Sequence, residues 1–294
     1  HVKLLATLGG QGRGHPVSKG RRVAPQIHSN IIDRAAQAAD QLGLGMGCEL
    51  AMQPAQGSAR YRQAMIVLHE HITDPKLGLG PAAHQRLVDS TESIIHIAAS
   101  LNRKSAKACF NVNLRGSLEV LKLGQAAHQA HGLRRFSDVS TTAVSGTRKG
   151  EVVYEDSAID WARSDYDPYA RTKKFAEHML HELLPDEVSK VVFRPSIVLG
   201  DSRFAATTQF DMVRAFVMLA RLPLLPFRPD WRLDIVPADY VGKAVVALHQ
   251  RPELEHSCFH LSSGLSSLTY EQIVRSLRLH GKPIHPRFVP QANR

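Results

Sequence analysis

The strongest constraint on this chain is an alternation. Between Ala64 and Gly200, short apolar runs suited to buried strands take turns with longer segments of helical period. A-M-I-V-L-H (64–69), S-I-I-H-I-A-A-S (93–100), R-R-F-S-D-V-S-T-T-A-V-S-G (134–146) and S-K-V-V-F-R-P-S-I-V-L-G (189–200) read as strands. A-A-H-Q-R-L-V, the stretch from Ala106 to His131 and the segment opening at Asp167 read as helices. Strands with near-continuous apolar runs, joined by helical crossovers, build a doubly wound parallel sheet covered by helices on both faces. In the long helix, Val112, Leu118, Leu121 and Ala126 mark the expected buried stripe, and Gly132 ends it.

The chain begins with another apolar run, K-L-L-A-T-L (3–8), followed by Gly9, Gly10, Gly12 and Gly14. A strand leading into a glycine-rich turn is where a dinucleotide-binding fold holds a pyrophosphate on backbone amides. Pro16, Gly20 and Pro25 interrupt the helix such a turn requires, so a plain loop is an equal reading. Asn30 to Leu42 reads as an amphipathic helix. Residues 15–65 otherwise carry no clear pattern. I-T-D-P-K-L-G-L-G-P (72–81) is turn-rich.

Beyond Gly200 the pattern loosens. Thr207 to Leu222 reads as a helix with broad apolar coverage, and P-L-L-P-F-R-P-D-W follows it as proline-punctuated chain. Arg232 to His249 pairs a short strand with a helix. Thr269 and Gln272 form a capping box for a last helix. The expected division is a nucleotide-binding domain over 1–200, with 232–262 returning to it. A smaller C-terminal substrate-binding lobe takes 201–231 and 263–294.

Composition narrows the partners. The 294 residues carry a formal charge of +10. That balance favours nucleotide phosphates, coenzyme A, an acidic carrier or nucleic acid. No basic helix, aromatic platform or Cys/His finger supports the nucleic-acid reading, which is set aside. Cys48, Cys109 and Cys258 are scattered without metal-ligand spacing, which suggests reduced, buried thiols and no metal. No run is long enough for a membrane span. The opening H-V-K-L-L-A-T-L-G-G lacks the long apolar core of a secretory leader, and a cytoplasmic location is the expectation.

Chemistry gathers at D-P-Y-A-R-T-K. Tyr169 and Lys173 are four residues apart, so a helix sets them on one face. A cation beside a phenol lowers its pKa from about 10 and suits it to proton transfer. Lys174 next to it reads as a solvated lysine. S-T-T-A-V-S-G (140–146) brings hydroxyls to the end of a strand, with Thr141 flanked by Ser140 and Thr142.

S-T-T-A-V-S-G, Y-A-R-T-K and R-P-S-I-V-L-G stand in order at suitable distances, with N-V-N-L-R-G before them and D-I-V-P-A-D-Y-V after. Together they resemble the extended short-chain dehydrogenase/reductase superfamily, and most of all its thioester reductase and fatty acyl-CoA reductase branch. The resemblance implies a Rossmann-type α/β fold and an NAD(P)-dependent oxidoreductase, with NADP slightly favoured over NAD. It implies Tyr169 as proton donor, Lys173 on the nicotinamide ribose, Thr141 on the substrate oxygen, and Asn113 supporting the lysine and a relay water. It places Gly9, Gly12, Gly14, Ala98, Ala99, Ser140, Pro195 and Ile197 around the cofactor, beside Tyr169 and Lys173.

The implied substrate is a carbonyl compound or an acyl thioester on coenzyme A or a carrier protein; a homodimer is compatible. The glycine spacing departs from the family's T-G-x-x-G-x-x-G, and His71 stands where an adenine-reading acid belongs, with Glu70 displaced by one. A nucleotide-sugar epimerase or dehydratase, and a non-catalytic binding protein, are the rival readings.

Overall fold

The computed structural model describes residues 3–8, 48–52, 64–69, 72–156, 158–203, 214, 217–218, 221–279 and 287–289. These divide into two compact units, one within His1–Phe193 and Glu253–Phe259, the other within Arg194–Pro252 and His260–Arg294. Glu70, His71 and the expected helix from Asn30 to Leu42 lie outside the described residues, as does most of Thr207 to Leu222.

The first unit is built on a sheet of β1 (Lys3–Leu8), β2 (Cys48–Met52), β3 (Ala64–His69), β4 (Thr91–His96), β5 (Arg135–Val139) and β6 (Ser189–Pro195), with β11 (Cys258–Leu261) at its edge. The order is β11-β6-β5-β4-β1-β3-β2. β4, β5 and β6 run parallel, as the alternation of strands and crossover helices requires. β1 runs antiparallel to both β4 and β3, and β2 antiparallel to β3. The doubly wound expectation therefore holds for the parallel half, and the sheet as a whole is mixed. Leu8 pairs with Thr91 at the start of β4, whereas Leu4 pairs with His96 at its end.

Helix α1 (Pro81–Ser90) carries proline in its first turn, where no hydrogen-bonded amide is needed, and buries Ala83, Leu87 and Val88. The long helical stretch is α2 (Ala106–Cys109), a π-helical turn (Phe110–Gly116) and α3 (Ser117–His131). That wide turn shifts the phase of the stripe. Val120, Leu121, Leu123 and Ala127 are fully buried, while Val112 and Ala126 only flank the core. Of the four positions read from periodicity, Leu121 alone reaches the centre. At Gly116 an added Cβ would lie 2.7 Å from Ile72 Cδ1, so the turn packs too closely for a side chain. Gly132 ends α3 at φ +89°.

The core joins Ile94, Phe136 and Val192 of the strands to Leu121, Leu123, Leu180 and Leu184 of the helices. Burying each such side chain stabilises the unit by about 1.5–3 kcal/mol. Phe193 stacks on Phe259 at 6.0 Å. Cys109 and Cys258 are buried free thiols.

The second unit contains β7 (Ile197–Val198), which pairs in parallel with β10 (Ile235–Val236). β9 (Arg232–Leu233) pairs with β12 (Leu268–Thr269), and β8 (Leu224–Leu225) with β13 (Arg287–Phe288). Helix α5 (Ala238–Gln250) follows Pro237. Asp239 in its first turn accepts from Ser202 N at 2.9 Å and Ser202 Oγ at 2.7 Å, which tethers the Asp201–Arg203 turn. Those bonds hold its carboxyl well below the usual range. Thr269 and Gln272 exchange side-chain bonds to each other's amides at 3.2 and 2.8 Å, the expected capping box of α6 (Tyr270–Leu279). Among the described residues, no helix is long and apolar enough to cross a membrane, and no cluster of His, Cys, Asp and Glu could hold a metal ion.

Candidate active site

Helix α4 (Pro168–Leu183) starts where the sequence says it should. The Asp167 side chain accepts from Ala170 N at 2.8 Å, and Pro168 occupies the first turn. This cap fixes the first turns and sets Tyr169 and Lys173 on the buried face; they are 7% and 1% exposed.

Lys173 Nζ donates to Asp138 Oδ2 at 3.2 Å and Oδ1 at 3.4 Å. Asp138 is the fourth residue of β5, and its side chain is as deeply buried as the lysine's. Thr141, just past β5, hydrogen-bonds the Tyr169 phenol. The Thr141 hydroxyl also accepts from Ala143 N at 3.3 Å, which caps a short 3-10 turn. Ser140 N donates to Phe193 O at 2.7 Å, binding the end of β5 to β6.

Asn113 sits at the centre of the π-helical turn and is fully buried. Its Oδ1 accepts from Ser100 N at 2.7 Å. Its Nδ2 donates to Ser100 O at 3.3 Å and Thr172 Oγ1 at 3.0 Å. The amide thus ties the loop after β4 to α4 beside Lys173. It reaches the lysine's neighbour, not the ammonium. Ala98 in that loop is buried and Ala99 half-buried.

Electrostatics corrects one expectation. Burial pushes the Tyr169 phenol up, and the opposing pull of Lys173, Thr141 and Arg103 is smaller. The phenol is raised, not lowered, because desolvation penalises the phenolate and the Asp138 carboxylate adds to that penalty. Lys174 is a second correction. It is 2% exposed and pairs with Asp165 at 2.6 Å, so it is a buried structural cation.

Four contributors were not singled out from sequence: Asp138, Arg103, His96 and Thr172. Asp138 had a legible signal, an acid inside a segment that reads as a buried strand. Arg103 lies over the Tyr169 ring at 5.3 Å and donates to Asp167 Oδ2 at 2.8 Å. Nothing in its local sequence marks that.

His96 is paired in register with Asp138, and its Nε2 lies 2.9 Å from Ser117 Oγ. Burial pushes its imidazole down to about 4, against a smaller upward pull from Asp138. A neutral, buried histidine stabilises the fold fully above its unfolded pKa near 6.5 and loses that contribution as pH falls toward 4. We expect roughly 3 kcal/mol of unfolding free energy to be lost between those limits. Urea midpoints across that range would show it, and His96→Phe should flatten the slope. An equally steep slope in the variant would refute the assignment.

The end of β5 leaves a polar group open to a ligand. Ser140 Oγ is buried at the C-terminal end of β5 with no hydrogen-bond partner. A buried hydroxyl left so is costly unless a ligand group meets it, and this end of the sheet fits a nicotinamide riboside. Gly9, Gly12 and Gly14 lie outside the described residues. Leu8, which leads into them, pairs with Thr91 at the start of β4, the end of that strand away from His96. Pro195 and Ile197 belong to the second unit, where Ile197 opens β7.

A partly parallel α/β core with Tyr, Lys and Thr near one strand end has the fold of the extended short-chain dehydrogenases/reductases. The family described as "Male sterility protein" matches residues 34–245, and the chain belongs to that family.

The chain is 26% identical over 225 residues to "Glycine betaine reductase ATRR" of Emericella nidulans, which covers 75% of this chain and 17% of that protein. It is 28% identical over 166 residues to "Fatty acyl-CoA reductase 1" of Rattus norvegicus, covering 47% of this chain and 31% of the relative. Its fold matches "the terminal R domain from the myxalamid PKS-NRPS biosynthetic pathway" with a TM-score of 0.66 at 27% identity, over 76% of this chain and 56% of the other. The match therefore spans a minor part of these curated relatives.

Proposed function

We propose that the chain is an NAD(P)H-dependent reductase that delivers hydride to a carbonyl or acyl thioester. The observation that carries this is Tyr169, Lys173 and Thr141 gathered at the C-terminal end of β5, with Thr141 bonded to the phenol. Relatives named as a fatty acyl-CoA reductase and a terminal reductase domain support the thioester substrate, and a structural neighbour complexed with NADPH supports the cofactor. A nicotinamide dinucleotide, when bound, supplies the hydride. Ser140, Ala98 and Ala99 would hold its nicotinamide end.

The chain's own residues do the rest. As hydride reaches the carbonyl carbon, negative charge grows on the oxygen. Thr141 donates a hydrogen bond there and Tyr169 passes its proton to that oxygen. A raised phenol pKa keeps the proton available at neutral pH. Lys173 supplies a buried positive charge beside the phenolate that results. Asn113 holds the two sides of the site together through Ser100 and Thr172. For a thioester, the protonated adduct collapses to aldehyde and thiol.

The test is calorimetric titration with NADPH and NADH, followed by NADPH consumption over many turnovers with an acyl-CoA. We expect binding and steady oxidation. Absence of binding by either nucleotide would sink the reading. Tightly retained NAD without net consumption would transfer it to an epimerase or dehydratase.

A further inference from the structure

One charged group in the site has no part in the proton transfer. Asp138 is 3% exposed on a strand where Arg135, Phe136 and Ser137 are buried as well. A carboxylate there is costly unless paired. Its partner is the one lysine the proposed chemistry needs, held at 3.2 and 3.4 Å. The register of the sheet places His96 of β4 directly beside it.

We propose that Asp138 is a positioning residue whose carboxylate anchors the Lys173 ammonium from the sheet side and offsets its charge at the Tyr169 phenol. The geometry of the pair supports the anchor, and the opposing effects of the two charges at the phenol support the offset. Lys173 leaves α4 on a long, flexible stem, and without an anchor the ammonium has several rotamers to choose from. Asp138 removes part of the pull that Lys173 exerts on the phenol, and burial outweighs what is left, so Tyr169 behaves as a buried neutral acid. A site arranged in this way is set to give a proton, the direction that reduction requires.

Other groups face Tyr169. Arg103, from the loop after β4, is the second cation, and it is itself paired with Asp167. Thr141 donates or accepts at the phenol. His96 is neutral and adds no charge, and burial raises the Cys109 thiol from α2. Asp138 is the acid whose charge opposes Lys173 at the phenol.

The proposal rests on the reductase reading, and its test separates the two. Ultraviolet titration of tyrosinate in the cofactor-free protein, with Tyr169→Phe as the blank, reads this phenol without any turnover. In the unsubstituted protein we expect a midpoint above the ordinary value of about 10. In Asp138→Asn the amide oxygen still accepts from Lys173, but the charge is gone. The midpoint should then fall by about one unit, and the alkaline limb of kcat/KM for reduction should move the same way. Asp138→Glu should restore both.

An unchanged midpoint in folded Asp138→Asn would overturn the proposal. So would a midpoint below about 9 in the unsubstituted protein, a result that needs no variant to fold. A shifted midpoint in a protein that reduces no thioester or carbonyl would leave Asp138's role standing and refute the reductase reading.

Discussion

Tyr169→Phe is expected to cut kcat for reduction by at least about 100-fold, since general acid catalysis contributes roughly 10²–10⁴-fold. The ring is 7% exposed and packs under Arg103. Phenylalanine keeps that volume and loses only the hydroxyl. The fold should persist, with one hydrogen bond to Thr141 lost at a cost of about 1 kcal/mol. Nucleotide affinity should hardly change, because the grip on a cofactor is spread over many groups. Calorimetry and steady-state rates on the same sample check both halves. Unchanged turnover would remove Tyr169 as the donor. Lost turnover together with lost nucleotide binding would give it a structural role instead.

Lys173→Met carries the largest expected effect on stability. The substitution leaves Asp138 buried and charged with no cation. Breaking a buried pair from one side costs about 3–5 kcal/mol, a large share of the 5–15 kcal/mol that holds a typical domain together. The urea midpoint should drop accordingly at neutral pH. The double variant Lys173→Met with Asp138→Asn should recover a substantial part of the loss, because the orphaned charge is then gone. Equal destabilisation of the single and double variants would show that the lysine's packing, not its charge pairing, matters. The same measurements distinguish Lys173 from Lys174, whose partner is Asp165. Burial raises the Asp165 carboxyl, and its bonds to Lys174 and Arg171 outweigh that and hold it low.

Much of this was legible without coordinates, for identifiable reasons. Strand periodicity and crossover length gave the parallel half of the sheet, since apolar runs have few other places to go. The capping signals at Asp167–Pro168 and Thr269–Gln272 gave helix starts, because a cap is a local hydrogen-bond device. The order of Thr141, Tyr169 and Lys173 gave the site, since their spacing along strand and helix already implies one face.

Other features were not legible. The π-helical turn at Phe110–Gly116 shifts the buried stripe by a residue, and Val112 and Leu118 consequently fall off the core. A periodic reading assumes one helical pitch throughout. The direction of β1 was equally hidden. An apolar run does not say which way its strand will be traversed.

The sequence by itself marked the candidates: the tyrosine, the lysine, the hydroxyl-bearing strand end and the capped helix that presents the first two. Those depend on neighbours within a few positions. The tertiary structure decided what each of them meets. Asp138 meets Lys173 across 35 positions and Asn113 meets Thr172 across 59. Desolvation of Tyr169 depends on everything packed around it. A pKa follows from the surroundings in space, so a spacing that promised an acidic phenol yielded a buried neutral one.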